Sequence, residues 1–236
     1  MSRIIENLRT ELKANVDEKT QASAQKFFRE KITFYGVKTP AVGKIAKKYW
    51  PEVESLSKVE VFGLCEELYC SGFIEEAFVV SNWLPEMIDR LELNYLAVFK
   101  RWIEQYINNW ATCDSFCNHT IGDLIDKYPS GVAEIIEWAK SKNMWLRRAA
   151  AVSLILPARR GGFLNEAFEI SDILLCDKED LVQKGYGWLL KEASRLHQKK
   201  VFDYILKNRK DMPRTALRYA IELMPKDLKV KAMEKN

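Results

Sequence analysis

Asn109-Trp110-Ala111-Thr112-Cys113-Asp114 joins two amphipathic runs, residues 93–107 and 116–128, and the reading of that joint decides the fold. Apolar residues recur in both runs at steps of three and four, the period of a helix with one buried face. Two such helices on a short joint form a helical hairpin, the repeating element of all-α stacks. If the joint is tight or itself helical, Trp110 and Asp114 stand four residues apart on one face. An indole and a carboxylate then point at the same volume. The plainer reading makes Trp110 core filler and Asp114 the cap of a helix beginning near Phe116.

The helical period continues on both sides. Ile4, Ile5, Leu8 and Leu12 repeat it, as do Ala22, Phe27 and Phe28. Phe34-Tyr35-Gly36-Val37-Lys38-Thr39-Pro40 breaks it. Thr39 followed by Pro40 reads as a helix start, a capping hydroxyl with proline at the first helical position, and that helix is expected to end near Trp50 against Pro51. Ser57 and Glu60 form a capping box for residues 59–69, and Gly72 separates these from a helix over 73–84. Beyond Pro129-Ser130-Gly131, residues 132–139 are helical. Asn143 caps a helix carrying Trp145, Arg147, Arg148, Ala149, Ala150 and Val152. Residues 157–162, Pro-Ala-Arg-Arg-Gly-Gly, read as a loop, and 164–175 as helix. Asp177 with Asp180 opens a helix bearing Lys184, Gly187, Trp188, Lys191 and Arg195, and Pro213 opens one of the last. No alternating run competes with helix. Short helices paired about every 40 residues match the period of HEAT-type repeats, of which this length holds about six. The expected fold is all-α, a right-handed α-α superhelix, in one domain over residues 1–236 with a concave binding face. A compact helical bundle is the alternative.

Composition agrees. The chain has 236 residues, 47% of them hydrophobic, and only 10 Gly and 7 Pro, too few for an all-β chain of tight turns. No apolar run is long enough to cross a bilayer, and the N-terminus lacks a signal peptide's apolar core, so a cytoplasmic protein is expected. Five cysteines, an odd number, make no disulfide framework. Cys113, Cys117 and His119 lie close together, but no second Cys/His cluster completes a four-ligand zinc site; buried thiols are expected and no metal. No Gly-rich phosphate loop is present, and no cofactor is expected. The net charge is +4, unevenly spread: residues 141–236 hold 20 Lys+Arg against 12 Asp+Glu, leaving 17 against 21 in residues 1–140. That asymmetry points to a polyanion engaged by the C-terminal half.

The basic residues stand beside aromatics. Lys184, Trp188, Lys191 and Arg195 fall at steps of four, three and four, one stripe of a helix whose core side must be Val182, Leu189, Leu190 and Ala193. The stripe is either an aromatic platform among phosphate-contacting cations or a core-edge indole among solvated lysines. Arg147 and Arg148 sit beside small residues that allow close approach. Arg159 and Arg160, then Arg214 and Arg218, add charge of the same sign.

Four pieces in order, Phe34–Pro40, Trp110–Asp114, Trp145-Leu146-Arg147-Arg148-Ala149-Ala150 and Gly187-Trp188-Leu189-Leu190-Lys191-Glu192, resemble the AlkD family of bacterial DNA alkylation-repair proteins. The resemblance implies HEAT-like repeats cradling duplex DNA and excision of N3- and N7-alkylated purines. It implies that Trp110, Asp114 and Trp188 form the catalytic cluster and that Arg148 holds the DNA backbone. Lys38, Lys184, Lys191, Arg195 and Arg214 complete the expected DNA-binding set. The partner that the resemblance implies is double-stranded DNA containing alkylated purines; no membrane, no obligatory protein partner and a monomer are expected. One place departs from the family pattern: where a second Trp precedes the one matched by Trp110, this chain has Asn109. Two other functions remain open at this level, a non-catalytic relative that binds bent or branched DNA and a helical-repeat scaffold for proteins.

Overall fold

The computed structural model describes residues 3–234. Regular structure among them is helical apart from one isolated parallel bridge, Thr33 to Phe73. The helices are α1 (Arg3–Ala14), α2 (Glu18–Ser23), α3 (Thr39–Glu54), α4 (Lys58–Cys70), α5 (Ile74–Glu86), α6 (Tyr95–Tyr106) and α7 (Trp110–Phe116). A π-helical turn (Cys117–Ile121) then leads to α8 (Gly122–Lys127), α9 (Val132–Trp138), α10 (Met144–Ser153), α11 (Ile155–Arg159) and α12 (Leu164–Ile173). The long α13 (Asp180–Asn208), α14 (Arg214–Ala220) and α15 (Lys226–Met233) complete the chain. The all-α expectation holds, and neighbours in sequence pair in space: α4 with α5, α9 with α10, α13 with α14. No helix among the described residues is long and apolar enough to cross a membrane.

The chain divides into two compact units, Met1–Glu92 with Gln105–Phe116, and Leu93–Glu104 with Cys117–Asn236. In the first, α1 packs on α3, α3 on α5, and α5 on α4 and α7. Ile5, Leu8 and Leu12 of α1, Val42 and Ala46 of α3, and Val79, Val80 and Leu84 of α5 are fully buried, each stabilising by about 1.5–3 kcal/mol except the smaller Ala46. The indole of Trp83 donates to the Ala46 carbonyl at 2.9 Å, which satisfies its only polar atom.

The Phe34–Pro40 stretch wraps the start of α5. The buried Glu75 carboxylate accepts the backbone N–H groups of Tyr35, Gly36 and Val37 at 3.0, 2.7 and 3.0 Å. Glu76, also buried, takes the Arg9 guanidinium at 2.9 Å and the Tyr35 hydroxyl at 2.6 Å. Burial, then Glu76, push that hydroxyl's pKa well above its usual range. Gly36 is required here twice over: its φ is +97°, and a Cβ would lie 2.6 Å from Cβ of Gln21.

Three local expectations need correction. Helix α3 includes Thr39, whose hydroxyl therefore does not cap it; Lys38 holds the cap position without a side-chain hydrogen bond. The same helix runs past Pro51 to Glu54. Pro51 and Lys47 are exposed, so water can take the carbonyl that loses its donor, and the fully buried Val53 anchors the last turn. Residues 157–162 are not wholly loop: α11 carries Pro157 in its first turn, where no N–H is needed, and buries Ile155 and Ala158.

In the second unit α13 is the spine, packed by α10, α11, α12, α14 and α15. Of two glycines on it, Gly187 but not Gly185 sets how closely a neighbour approaches. A Cβ at Gly187 would stand 2.7 Å from the Ala216 carbonyl oxygen of α14, whereas one at Gly185 would meet Arg148 and Ala151 of α10 at an ordinary 3.6 and 3.7 Å. At His197 α13 kinks, with φ −125° and ψ 37°, and the imidazole Nε2 lies 3.0 Å from the Gly161 carbonyl oxygen.

Candidate functional site

The Asn109–Asp114 joint is helical. Asn109 is 3% exposed, and its side-chain oxygen accepts the Thr112 N–H at 3.0 Å, so it caps the first turn of α7. Asp114 is therefore no cap for a helix near Phe116; it lies inside α7, one turn beyond Trp110. Thr112, Cys113 and Phe116 carry the buried face, while Trp110 and Asp114 are each half-buried. Helical spacing gives the indole and the carboxylate one common side.

Phe27 and Phe28, which the helical period places on an α-helix face, lie instead in a 3-10 turn (Ala24–Phe27) and at its end, and they support Trp110. Phe28 stacks on it with ring centroids 5.5 Å apart at 19°, and its Nε1 donates to the Phe27 carbonyl at 3.4 Å. The segment holding them is braced by Gln25, whose amide donates to the Glu30 carbonyl at 2.8 Å and accepts the Ile32 N–H at 3.2 Å. No period exposes such a brace.

In the second unit α13 carries the expected stripe. Val182, Leu189, Leu190 and Ala193 are fully buried, as their register requires. Lys184, Trp188 and Lys191 are half-buried, and Arg195 is exposed. The Lys191 ammonium lies 5.9 Å from the Trp188 ring centroid, within cation–π reach. Each cation of the stripe also has an anionic partner: Lys184 with Asp180 at 2.7 Å, Lys191 with Glu222 at 3.1 Å, Arg195 with Glu192 at 2.5 Å.

The other expected contacts differ in character. Arg148 is only 5% exposed; its guanidinium donates to the Leu181 carbonyl at the start of α13. Arg147 is committed to structure, bonded to Asp177 at 2.6 Å and to the carbonyls of Ser141 and Lys142 at 3.0 Å each. Arg214 is exposed and donates to the Met233 carbonyl at 3.5 Å. In the first unit Lys38 is exposed and pairs with Asp17 at 2.8 Å; hydrogen bonds from Lys38, then from Thr20, hold that carboxyl's pKa well below the usual range. Cys113 and Cys117 are buried thiols as expected, whereas Cys70 and Cys176 are exposed.

Glu192 is the residue the sequence reading passed over. It is buried, and both Arg159 of α11 and Arg195 of α13 donate Nε to its Oε2, at 2.8 and 2.5 Å. Burial pushes its pKa up, but the hydrogen bonds from Arg195 and Arg159 outweigh this and hold it below the ordinary glutamate value.

Comparison with known proteins bears on the whole chain. Among solved structures, one described as "Predicted DNA alkylation repair enzyme from Enterococcus faecalis" superposes with a TM-score of 0.79 at 18% identity, covering 90% of this chain and 98% of that one. Another, the Pseudomonas fluorescens alkylpurine DNA glycosylase AlkC bound to DNA containing an abasic site analog, gives 0.52 at 15% identity over 98% of this chain and 65% of that one. At these identities the likeness is one of fold. No curated protein matches by sequence. A family model described as "DNA alkylation repair enzyme" matches residues 8–224, nearly the full length, and the chain belongs to that family.

Proposed function

We propose that this protein is a DNA glycosylase that excises N3- and N7-alkylated purines from duplex DNA, the opening step of base excision repair. The observation that carries the proposal is the shared face of Trp110 and Asp114 on α7, in a chain of the DNA alkylation repair enzyme family. Alkylation at N3 or N7 leaves the purine cationic and makes it a good leaving group. As the glycosidic bond breaks, positive charge builds on the deoxyribose. A half-buried carboxylate fixed on a helix stabilises that charge and can orient the attacking water. The indole of Trp110, braced by Phe28, offers an aromatic face to the sugar and its developing cation. Trp188 is assigned a like role toward the lesion from the resemblance. Lys38, Arg148, Lys184, Lys191, Arg195 and Arg214 are assigned to the DNA backbone on the same ground. The AlkD-type manner of working, on the lesion without a base-flipping pocket, is part of the proposal.

The test is single-turnover incubation with duplex DNA containing 7-methylguanine, reading free base. Wild type is expected to release it. Asp114→Asn keeps the shape and removes the charge, and excision should fall at least about tenfold while duplex affinity holds or rises. Wild-type rates in the variant would remove Asp114 from the mechanism.

DNA binding without excision is a second reading, and Asn109 favours it. The place where the family pattern has an additional indole is taken by a buried cap whose oxygen is committed to the Thr112 N–H. Salt-dependent duplex binding with no base release by the wild type would select this reading.

A further inference from the structure

Arg159 and Arg195 differ from the other arginines of the molecule. Both give Nε to the same oxygen of Glu192, and this is the only donor that either commits to a partner among the described residues. A guanidinium has five N–H donors, so most of each fork is left. The side chains of Arg159 and Arg195 are 46% and 45% exposed, while that of Glu192 is 3% exposed. Arg147, by contrast, uses Nε, Nη1 and Nη2 on Asp177, Ser141 and Lys142 and faces its own fold.

A buried carboxylate needs one cation to offset its desolvation. Here it has two, so the cluster carries a surplus positive charge at the surface over a buried anchor. The two helices are also held in register by a second contact, the approach of His197 to the Gly161 carbonyl just beyond α11. Arg159 and Arg195 are thus placed relative to each other by the fold, and the Glu192 charge between them reduces their repulsion. Two forks so arranged suit an oxyanion that accepts several hydrogen bonds at once, which is the geometry of a phosphate.

We propose that Arg159 and Arg195, positioned by Glu192, form a clamp for one phosphodiester of the bound duplex. The proposal rests on the DNA-binding part of the function proposed above. Glu192 acts here as a positioning residue, since it reaches the phosphate only through the two arginines.

The experiment measures duplex affinity against salt concentration for wild type, Arg159→Lys with Arg195→Lys, and Glu192→Gln, each checked by thermal melting. The double lysine variant keeps every charge and loses the forks; its affinity should fall about tenfold at fixed salt. Glu192→Gln adds one net positive charge, so an interface acting through diffuse charge alone would bind DNA more tightly. A positioned clamp binds more weakly, and a several-fold loss is expected. Lysine variants that bind as wild type, or a tighter Glu192→Gln, overturn the clamp. If the wild type shows no salt-dependent duplex binding, the DNA reading itself fails. Inorganic phosphate then decides the clamp by itself: a rise in melting temperature that the double lysine variant loses supports it, and no rise overturns it.

Discussion

Asn109 shows how one side chain can serve an element rather than a substrate. Its oxygen caps α7, and removing it by Asn109→Ala should cost about 1 kcal/mol in urea unfolding, while Asn109→Asp should stay close to wild type. Equal losses in both variants would mean that the burial of Asn109, not its hydrogen bond, is what matters. Arg148 combines the same ambiguity with a charge. The resemblance places it at the DNA backbone, and the fold buries it between α10, which carries it, and α13, with its guanidinium on the Leu181 carbonyl. Arg148→Ala should therefore destabilise by about 2 kcal/mol through lost packing as well as any loss of DNA affinity. An unchanged urea midpoint would return the residue to a purely ligand-facing role. Glu192 has a folded pKa below its unfolded value, so its stabilisation is present above the unfolded pKa and is lost as pH falls through the folded one. The stability gap between wild type and Glu192→Gln should be open at neutral pH and should close below about pH 4. A gap that persists in acid would assign the difference to packing.

At the scale of elements, α13 carries the clearest contrast. Gly185 and Gly187 sit two residues apart on one helix, and glycine costs a helix interior about 1 kcal/mol relative to alanine. At Gly185 a methyl meets only ordinary contacts with Arg148 and Ala151, so Gly185→Ala should raise stability by up to about 1 kcal/mol. At Gly187 the methyl would collide with the α14 backbone at Ala216 and with Cβ of Tyr219 at 2.8 Å. Gly187→Ala should force α14 away and cost about 1–3 kcal/mol. Paired urea melts decide this, and variants that shift in the same direction would contradict the packing described. The family-like piece Gly187–Glu192 thus holds an indole for the proposed ligand, a carboxylate for the arginine clamp and a glycine for helix packing, three separate demands within two turns.

For the whole molecule the balance of charge matters more than its sum. Of the six cations assigned to DNA by the family resemblance, Lys38, Lys184, Lys191 and Arg195 have carboxylate partners in the fold. The pairs of Lys38, Lys184 and Lys191 lie near the surface and contribute roughly 0–1 kcal/mol, so a phosphate can replace their carboxylates at little cost, whereas Arg195 keeps its bond to the buried Glu192. The displaced carboxylate still stands nearby and reduces the gain. If all six cations met phosphates, the logarithm of affinity would fall with that of salt at a slope near −5, taking about 0.9 per contact. A shallower slope is expected here. A slope of −5 or steeper would mean that the pairs of Lys38, Lys184 and Lys191 open completely on the duplex.

Much of the architecture was legible in the chain because it depends on neighbours within a turn or two. The capping box at Ser57 and Glu60, the Asn143 cap, the buried register of Val182, Leu189, Leu190 and Ala193, and the shared side of Trp110 and Asp114 follow from helical spacing alone. The family resemblance rests on the same short pieces, and at the level of the DNA alkylation repair enzyme family it agrees with the match over residues 8–224. The rest required the fold. That Glu75 gathers three amides some 40 positions away, that Glu192 anchors an arginine from another helix, and that Arg148 is buried are facts of long-range packing. So is the passage of α3 through Pro51, which depends on what covers Val53. Periodicity records which side of a helix is apolar. Which carboxylate meets which cation depends on the distance between elements, and only the packed chain sets that distance.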